Sequence, residues 1–167
     1  MTIFHFSFLI FSRLCYDYGE NLSERGRIMN ILVIDGQGGG IGKQLITMIK
    51  QELHSVHITA VGSNSTAVAN MLKAGADEAA AGENPVIVGC RKADIIVGPV
   101  GIVIADSMLG EITPKMAAAV AQSSAKRILI PYNQCGNVIV GIPNVTMSAL
   151  IRLAVDEIKQ EIMDSAH

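Results

Sequence analysis

Tryptophan is absent from these 167 residues, aromatics make up only 4% and charged side chains only 17%. Basic residues are not in excess: Lys+Arg number 13 against 15 Asp+Glu, for a net charge of −2. No Lys/Arg stripe with interleaved aromatics offers itself to a polyanion, so no nucleic-acid partner is expected. Cysteine is scarce, odd in number and widely spaced (Cys15, Cys90 and Cys135), with no CxxC motif and no Cys/His cluster. That excludes a disulfide framework and a zinc site, and suits reduced thiols in a cytoplasmic protein. His5, His54, His57 and His167 form no HExxH-like pair. No apolar run approaches the ~20 residues of a membrane helix, so no membrane partner is expected either.

Hydrophobic residues, by contrast, are 50% of the chain, enough for the core of one domain. They are of two kinds. Phe4, Phe6, Phe8, Phe11, Tyr16 and Tyr18 all precede Met29, and Tyr132 is the only aromatic after it. The break divides the chain into an extension, residues 1–28, and a domain, residues 29–167. Thr2–Phe11 is apolar but about half the length of a membrane span. It has neither a basic segment before it nor a small-residue cleavage site after it, so it does not read as a signal peptide. The extension is expected to be disordered, or to lie upstream of a true start at Met29.

From Met29 onward, short apolar strands alternate with helices. Strands are expected at Ile31–Asp35, Val56–Val61, Asp77–Ala81, Asp94–Gly98, Arg127–Pro131 and Val138–Ile142. Helices are expected at Ile41–Leu53, Thr66–Ala74 (capped by Ser65 and ended by Gly75) and from Asn84-Pro85 to about Lys92. Two more are expected at Lys115–Ser124, after the cap Thr113-Pro114, and at Thr146–Met163. Such alternation implies βαβ units and an α/β, Rossmann-like, doubly wound, mostly parallel sheet of five to six strands, in the order 3-2-1-4-5 with the sixth at an edge.

The chemistry concentrates after the first strand, in Asp35-Gly36-Gln37-Gly38-Gly39-Gly40-Ile41-Gly42. A glycine loop between a buried strand and a helix lets the backbone approach a ligand, and the helix N-terminus favours an anion. A nucleotide-binding site is expected there, built from Gly36, Gln37, Gly38, Gly39, Gly40, Ile41 and Gly42. Ser63, Asn64 and Ser65 follow the second strand, and Gly98, Pro99 and Gly101 follow the fourth, at the point where strand order reverses. Ser63 and Asn64 can form a turn or meet a ribose. Asp106, Ser107, Glu111, Asn133, Gln134 and Cys135 are further polar groups at strand ends. Asp35 is expected to fix the turn by bonding loop amides; a metal-linked or acid–base role is the sharper alternative.

The spacing Gly36-x-x-x-Gly40-x-Gly42 resembles the loop of short-chain dehydrogenases. The resemblance implies NAD(P) as cofactor, with Gly36 at the tight turn, Gly40 at the pyrophosphate and Gly42 where helix packs on sheet. Gly62-Ser63-Asn64 replaces the carboxylate that would hold the ribose, and the catalytic YxxxK pair is missing, since Gly136 lies four residues after Tyr132. Gly38–Lys43 also looks like a deviant P-loop, with Gln44 at the magnesium-ligating position. Non-catalytic nucleotide sensing within a complex, and phosphate-ester or nucleotide hydrolysis, therefore stand beside dinucleotide binding. Apolar residues at Ile102–Ala105, Met108-Leu109 and on the last helix could support a homodimer.

Over residues 29–167 the chain resembles a small bacterial Rossmann-like family of unknown function. The resemblance is carried by Ile34–Gly42, Met71–Glu78 and Ser107–Met116. It implies the fold and supplies no substrate or catalytic residue.

Overall fold

In the computed structural model, which describes residues 28–131, 137–140 and 145–165, the run Met29–Asp35 is strand β1. Its side chains alternate between two separate cores. Ile31 and Val33 join one, and Leu32 and Ile34 the other. A strand buried on both faces must be apolar throughout, which is why it reads as a continuous hydrophobic run.

The remaining elements follow in order: α1 (Gly40–Glu52), β2 (Val56–Gly62), α2 (Ser65–Lys73), β3 (Glu78–Ala81) and α3 (Glu83–Cys90). Then come β4 (Ile95–Pro99), a 3-10 turn (Val100–Val103), α4 (Pro114–Gln122), β5 (Lys126–Ile130) and α5 (Met147–Ser165). The sheet order is β3-β2-β1-β4-β5, parallel throughout. This is the α/β, Rossmann-like arrangement expected from the alternation. Leu45, Ile46 and Ile49 of α1, Met71 of α2 and Ile151, Val155 and Ile158 of α5 cover one face of the sheet. Val86 and Cys90 of α3, with Met116 and Val120 of α4, cover the other. Cys90 is a buried free thiol whose pKa burial pushes up to about 11, which suits packing rather than reactivity.

Three local expectations are corrected. The α2 cap is Asn64, not Ser65: Asn64 is extended and its side chain accepts the Ala67 amide, while Ser65 is the first helical residue. Asn and Ser cap equally well, so the choice fell to the residue whose amide group also has partners outside the helix. Helix α3 starts at Glu83, with Gly82 (φ 105°) in the cap position instead of Asn84. A left-handed backbone there needs glycine, and Pro85 sits in the first turn, where it forfeits no helical bond. Of the strand expected at Val138–Ile142, residues 138–140 belong to no strand, with Val138 and Val140 81% and 93% exposed, and Gly141 and Ile142 lie outside the described residues. A run whose apolar side chains face water gains no core by joining an edge.

Among the described residues no helix is long and apolar enough to cross a membrane. Residues 1–27, together with Tyr132, Asn133, Gln134, Cys135 and Gly136, lie outside the described residues.

Candidate functional site

Strand order reverses between β1 and β4, and ligands of open parallel sheets bind beyond the strand ends at such a point. A cleft of about 320 Å³ opens there. Asp35, Gly36, Gln37, Gly38, Gly40 and Ile41 form its floor, with Pro99, Met108 and Met147 among its walls. Most of the loop residues expected at a nucleotide thus border one cleft. Gly98 does not: it is buried in β4, where a Cβ would come 2.2 Å from the Ile34 carbonyl oxygen. Ser65 is exposed at the start of α2. Gly101 lies in the 3-10 turn behind Met108, whose methyl would sit 3.1 Å from an added Cβ.

Nearly every backbone group of the loop has a partner. Asp35 accepts the Gly36 amide on one carboxylate oxygen and the Gly42 amide on the other, each at 2.8 Å. Glu111 accepts the Gln37 amide at 2.7 Å. The Gly39 amide donates to the Gly36 carbonyl, closing a turn in which Gly39 is left-handed. Three carbonyls are held by side-chain amides: Gln37 by Asn64, Gly38 by Asn70 and Gly40 by Gln44. Two amides, those of Gly38 and Gly40, have no partner among the described residues. Both residues line the cleft.

The glycines themselves sort the same way. An added Cβ would meet Met108 sulfur at 2.6 Å on Gly36, the Ala67 backbone at 2.7 Å on Gly39 and Met71 sulfur at 2.5 Å on Gly42. The fold explains those three. At Gly38 and Gly40 a Cβ would meet nothing within 4 Å, and neither has a positive φ. Of the glycines described, they are the two for which neither packing nor backbone conformation requires glycine.

Asp35 is buried, with 4% of its surface exposed. Burial raises its carboxyl pKa, the amides of Gly42, Gly36 and Ile41 oppose that rise, and the nearby Glu111 charge adds to it. Both oxygens hold loop amides, as the turn-fixing account requires.

Glu111 is the residue whose place in the site was not legible in the sequence. It lies between the 3-10 turn and α4, far along the chain from β2. Its Oε2 accepts from the Gln37 amide, from Asn64 Nδ2 at 2.9 Å and from the Ser63 hydroxyl in a short hydrogen bond. Burial pushes its pKa up, but donation from Ser63, Gln37 and Asn64 outweighs this and the pKa is lowered. Asp106, Met108 and Leu109 bring it there through left-handed backbone (φ 60°, 56° and 61°), followed by Gly110 at 84°. Ser107, also buried, anchors the segment by donating to the Gly101 carbonyl at 2.6 Å.

The family model described as a domain of unknown function, DUF3842, matches residues 30–163. The chain belongs to this family. No curated protein matches the chain. Among solved structures it is similar to a dodecameric FMN-dependent UbiX-like decarboxylase from Escherichia coli O157:H7. The two are 18% identical, with 79% of this chain and 76% of that chain covered and a TM-score of 0.41. The matched region of the family model takes in the whole glycine loop and all of the sheet except Met29.

Proposed function

We propose that this member of the DUF3842 family binds a nucleotide over the β1–α1 loop, with NAD(P) the leading candidate. One observation carries the reading: Gly38 and Gly40 line a cleft at the sheet's switch point, with amides that have no partner among the described residues and no need of glycine from the fold. Glycine there makes sense if the space above the backbone is kept for a ligand. The axis of α1 adds the positive end of its dipole, and Lys43 stands exposed in its first turn. The cleft's volume is near the lower end of small-ligand sites, which span roughly 300–1,000 Å³, and suits a phosphate with its adjoining ribose. The rest of a dinucleotide would extend out of it.

Within this reading a sensing or complex-subunit role is favoured over catalysis. Asp35 is the only ionisable side chain among the described residues lining the cleft, and loop amides occupy both its oxygens. The hydrolase alternative would need that carboxylate for an ion, and would need a hydroxyl where Gln44 stands.

The test is a thermal-shift titration of the full chain with NAD(H), NADP(H), ATP, GTP and FMN. A ligand at 100 times its dissociation constant adds about 2.7 kcal/mol of apparent stability. Gly40→Asp is the matching variant. A carboxylate at the first helical residue complements the α1 dipole, so the variant folds, while its charge fills the cleft. Stabilisation by a nucleotide in the parent and none in Gly40→Asp is expected. Equal stabilisation of both, or none by any nucleotide, overturns the proposal.

A further inference from the structure

We propose that Glu111 is the ribose-binding carboxylate of this site and that it selects nucleotides with a free 2′-hydroxyl over their 2′-phosphorylated forms. The inference rests on the nucleotide reading above and sharpens it. In dinucleotide-binding sheets the ribose acceptor is an acidic residue at the end of the second strand. Here that strand ends in Gly62-Ser63-Asn64, none of them acidic. The structure brings a carboxylate to the same place from the other half of the sheet, because Glu111 bonds Ser63, Asn64 and the Gln37 amide at once.

The bonding is lopsided. All three donors converge on Oε2, and Oε1 has no partner among the described residues. Glu111 does not itself line the cleft, but its Oε2 is bonded to the amide of Gln37, which does. A carboxylate fixed through one oxygen and open at the other can accept from a sugar hydroxyl without reorganising. It would meet a 2′-phosphate as a like charge, and no cation is paired with it among the described residues. Gly36 makes the arrangement possible: an added Cβ there would lie 3.0 Å from Glu111 Oε2 and 2.8 Å from Ser63 Oγ. The glycine at the tight turn therefore admits a side chain from across the sheet.

Calorimetric titration of the full chain with NAD+ and NADP+, and with ADP and 2′-deoxy-ADP, tests this. The parent should prefer NAD+ to NADP+, and ADP to its 2′-deoxy form, each by about tenfold or more, the scale of one hydrogen bond to a charged group. In Glu111→Gln the side-chain amide turns a donor outward, so the NAD+ preference should fall to within about threefold or reverse, with ADP still bound. A residue that merely braced the loop would weaken all four ligands alike. An unchanged NAD+/NADP+ ratio in a folded Glu111→Gln overturns the assignment. So does a parent that binds ADP and 2′-deoxy-ADP equally, a comparison that needs no variant. Absence of binding by every ligand in the parent overturns the nucleotide reading first and the Glu111 assignment with it.

Discussion

Asp35 Oδ2 accepts the Gly42 amide at 2.8 Å, so the last residue of β1 holds the first turn of α1 in place. The bond spans the whole glycine loop, and its partner on Oδ1 is the Gly36 amide at the loop's other end. A buried carboxylate so placed has two consequences. The first concerns ligands: an anion arriving over the loop adds repulsion to a carboxyl whose pKa burial has already raised. Protonation of Asp35 relieves it, so nucleotide binding should take up protons, and affinity should fall as pH climbs from the raised pKa of the free protein towards the still higher one of the complex. Calorimetry in buffers of differing ionisation enthalpy reads the uptake directly.

The second consequence is stability. A carboxyl with a raised native pKa binds protons more tightly when folded, so its contribution declines as pH climbs from the unfolded value through the native one. Asp35→Asn removes that decline but turns an NH2 group against the loop amides. We expect a loss of about 1–3 kcal/mol, largest at acid pH and narrowing as pH rises. Urea melts across pH 4–8 measure both terms, and a deficit that widens with pH would contradict the burial argument.

Glu111 behaves oppositely. Burial favours its neutral form, but Ser63, Gln37 and Asn64 together favour the charged one more, and its native pKa is lowered. Its stabilisation is therefore complete above the unfolded pKa and is lost as pH falls through the native one. At neutral pH Glu111→Gln should cost about 1.5–3 kcal/mol, the range for hydrogen bonds to a charged group. The gap should narrow as pH falls below the unfolded value and close below the lowered native pKa, where the parent carboxylate is neutral as well.

Two kinds of glycine should separate under alanine substitution. Gly98→Ala would drive a Cβ to 2.2 Å from the Ile34 carbonyl oxygen, a backbone atom with no freedom to move aside. A loss of about 3 kcal/mol or more is expected, at or beyond the upper end of overpacking costs. Gly38→Ala meets nothing and should change stability by less than about 1 kcal/mol. Its effect should appear only in ligand titration. Equal destabilisation of both variants would mean that Gly38 serves the fold.

The sheet was legible because its signal is local and redundant. Ile31–Ile34 is apolar at successive positions, and only burial on both faces explains such a run. The cap Thr113-Pro114 was equally plain, with the Thr113 side chain accepting the Met116 amide. The site was legible only in part. The glycine spacing located the loop, but it could not separate Gly42, which packs against Met71, from Gly40, which faces open space. That distinction depends on residues distant in sequence. Glu111 is the sharper case. It was visible as a polar residue near a strand end, yet nothing local said that it would cross to Ser63 and Asn64. The turn that sends it there uses left-handed Asp106, Met108 and Leu109, none of them glycine. Residue preferences point away from such a backbone at methionine and leucine.

Leu109 itself supplies the last prediction. It is 94% exposed, so it gains almost nothing by burial, and its φ of 61° is one that leucine rarely adopts. Asparagine tolerates that conformation without glycine's extra freedom in the unfolded chain. Leu109→Asn should therefore stabilise the protein by about 0.5–1 kcal/mol, a part of the roughly 1–2 kcal/mol that a left-handed backbone costs an ordinary residue. The gain should be independent of protein concentration. If Leu109→Asn instead lowers the melting temperature, and more so in concentrated samples, then Leu109 is covered in solution by a second copy of the chain. The homodimer expected from the apolar Met108-Leu109 pair would then have its contact located. Melting curves recorded over a hundredfold range of concentration, beside sedimentation of parent and variant, distinguish the two outcomes.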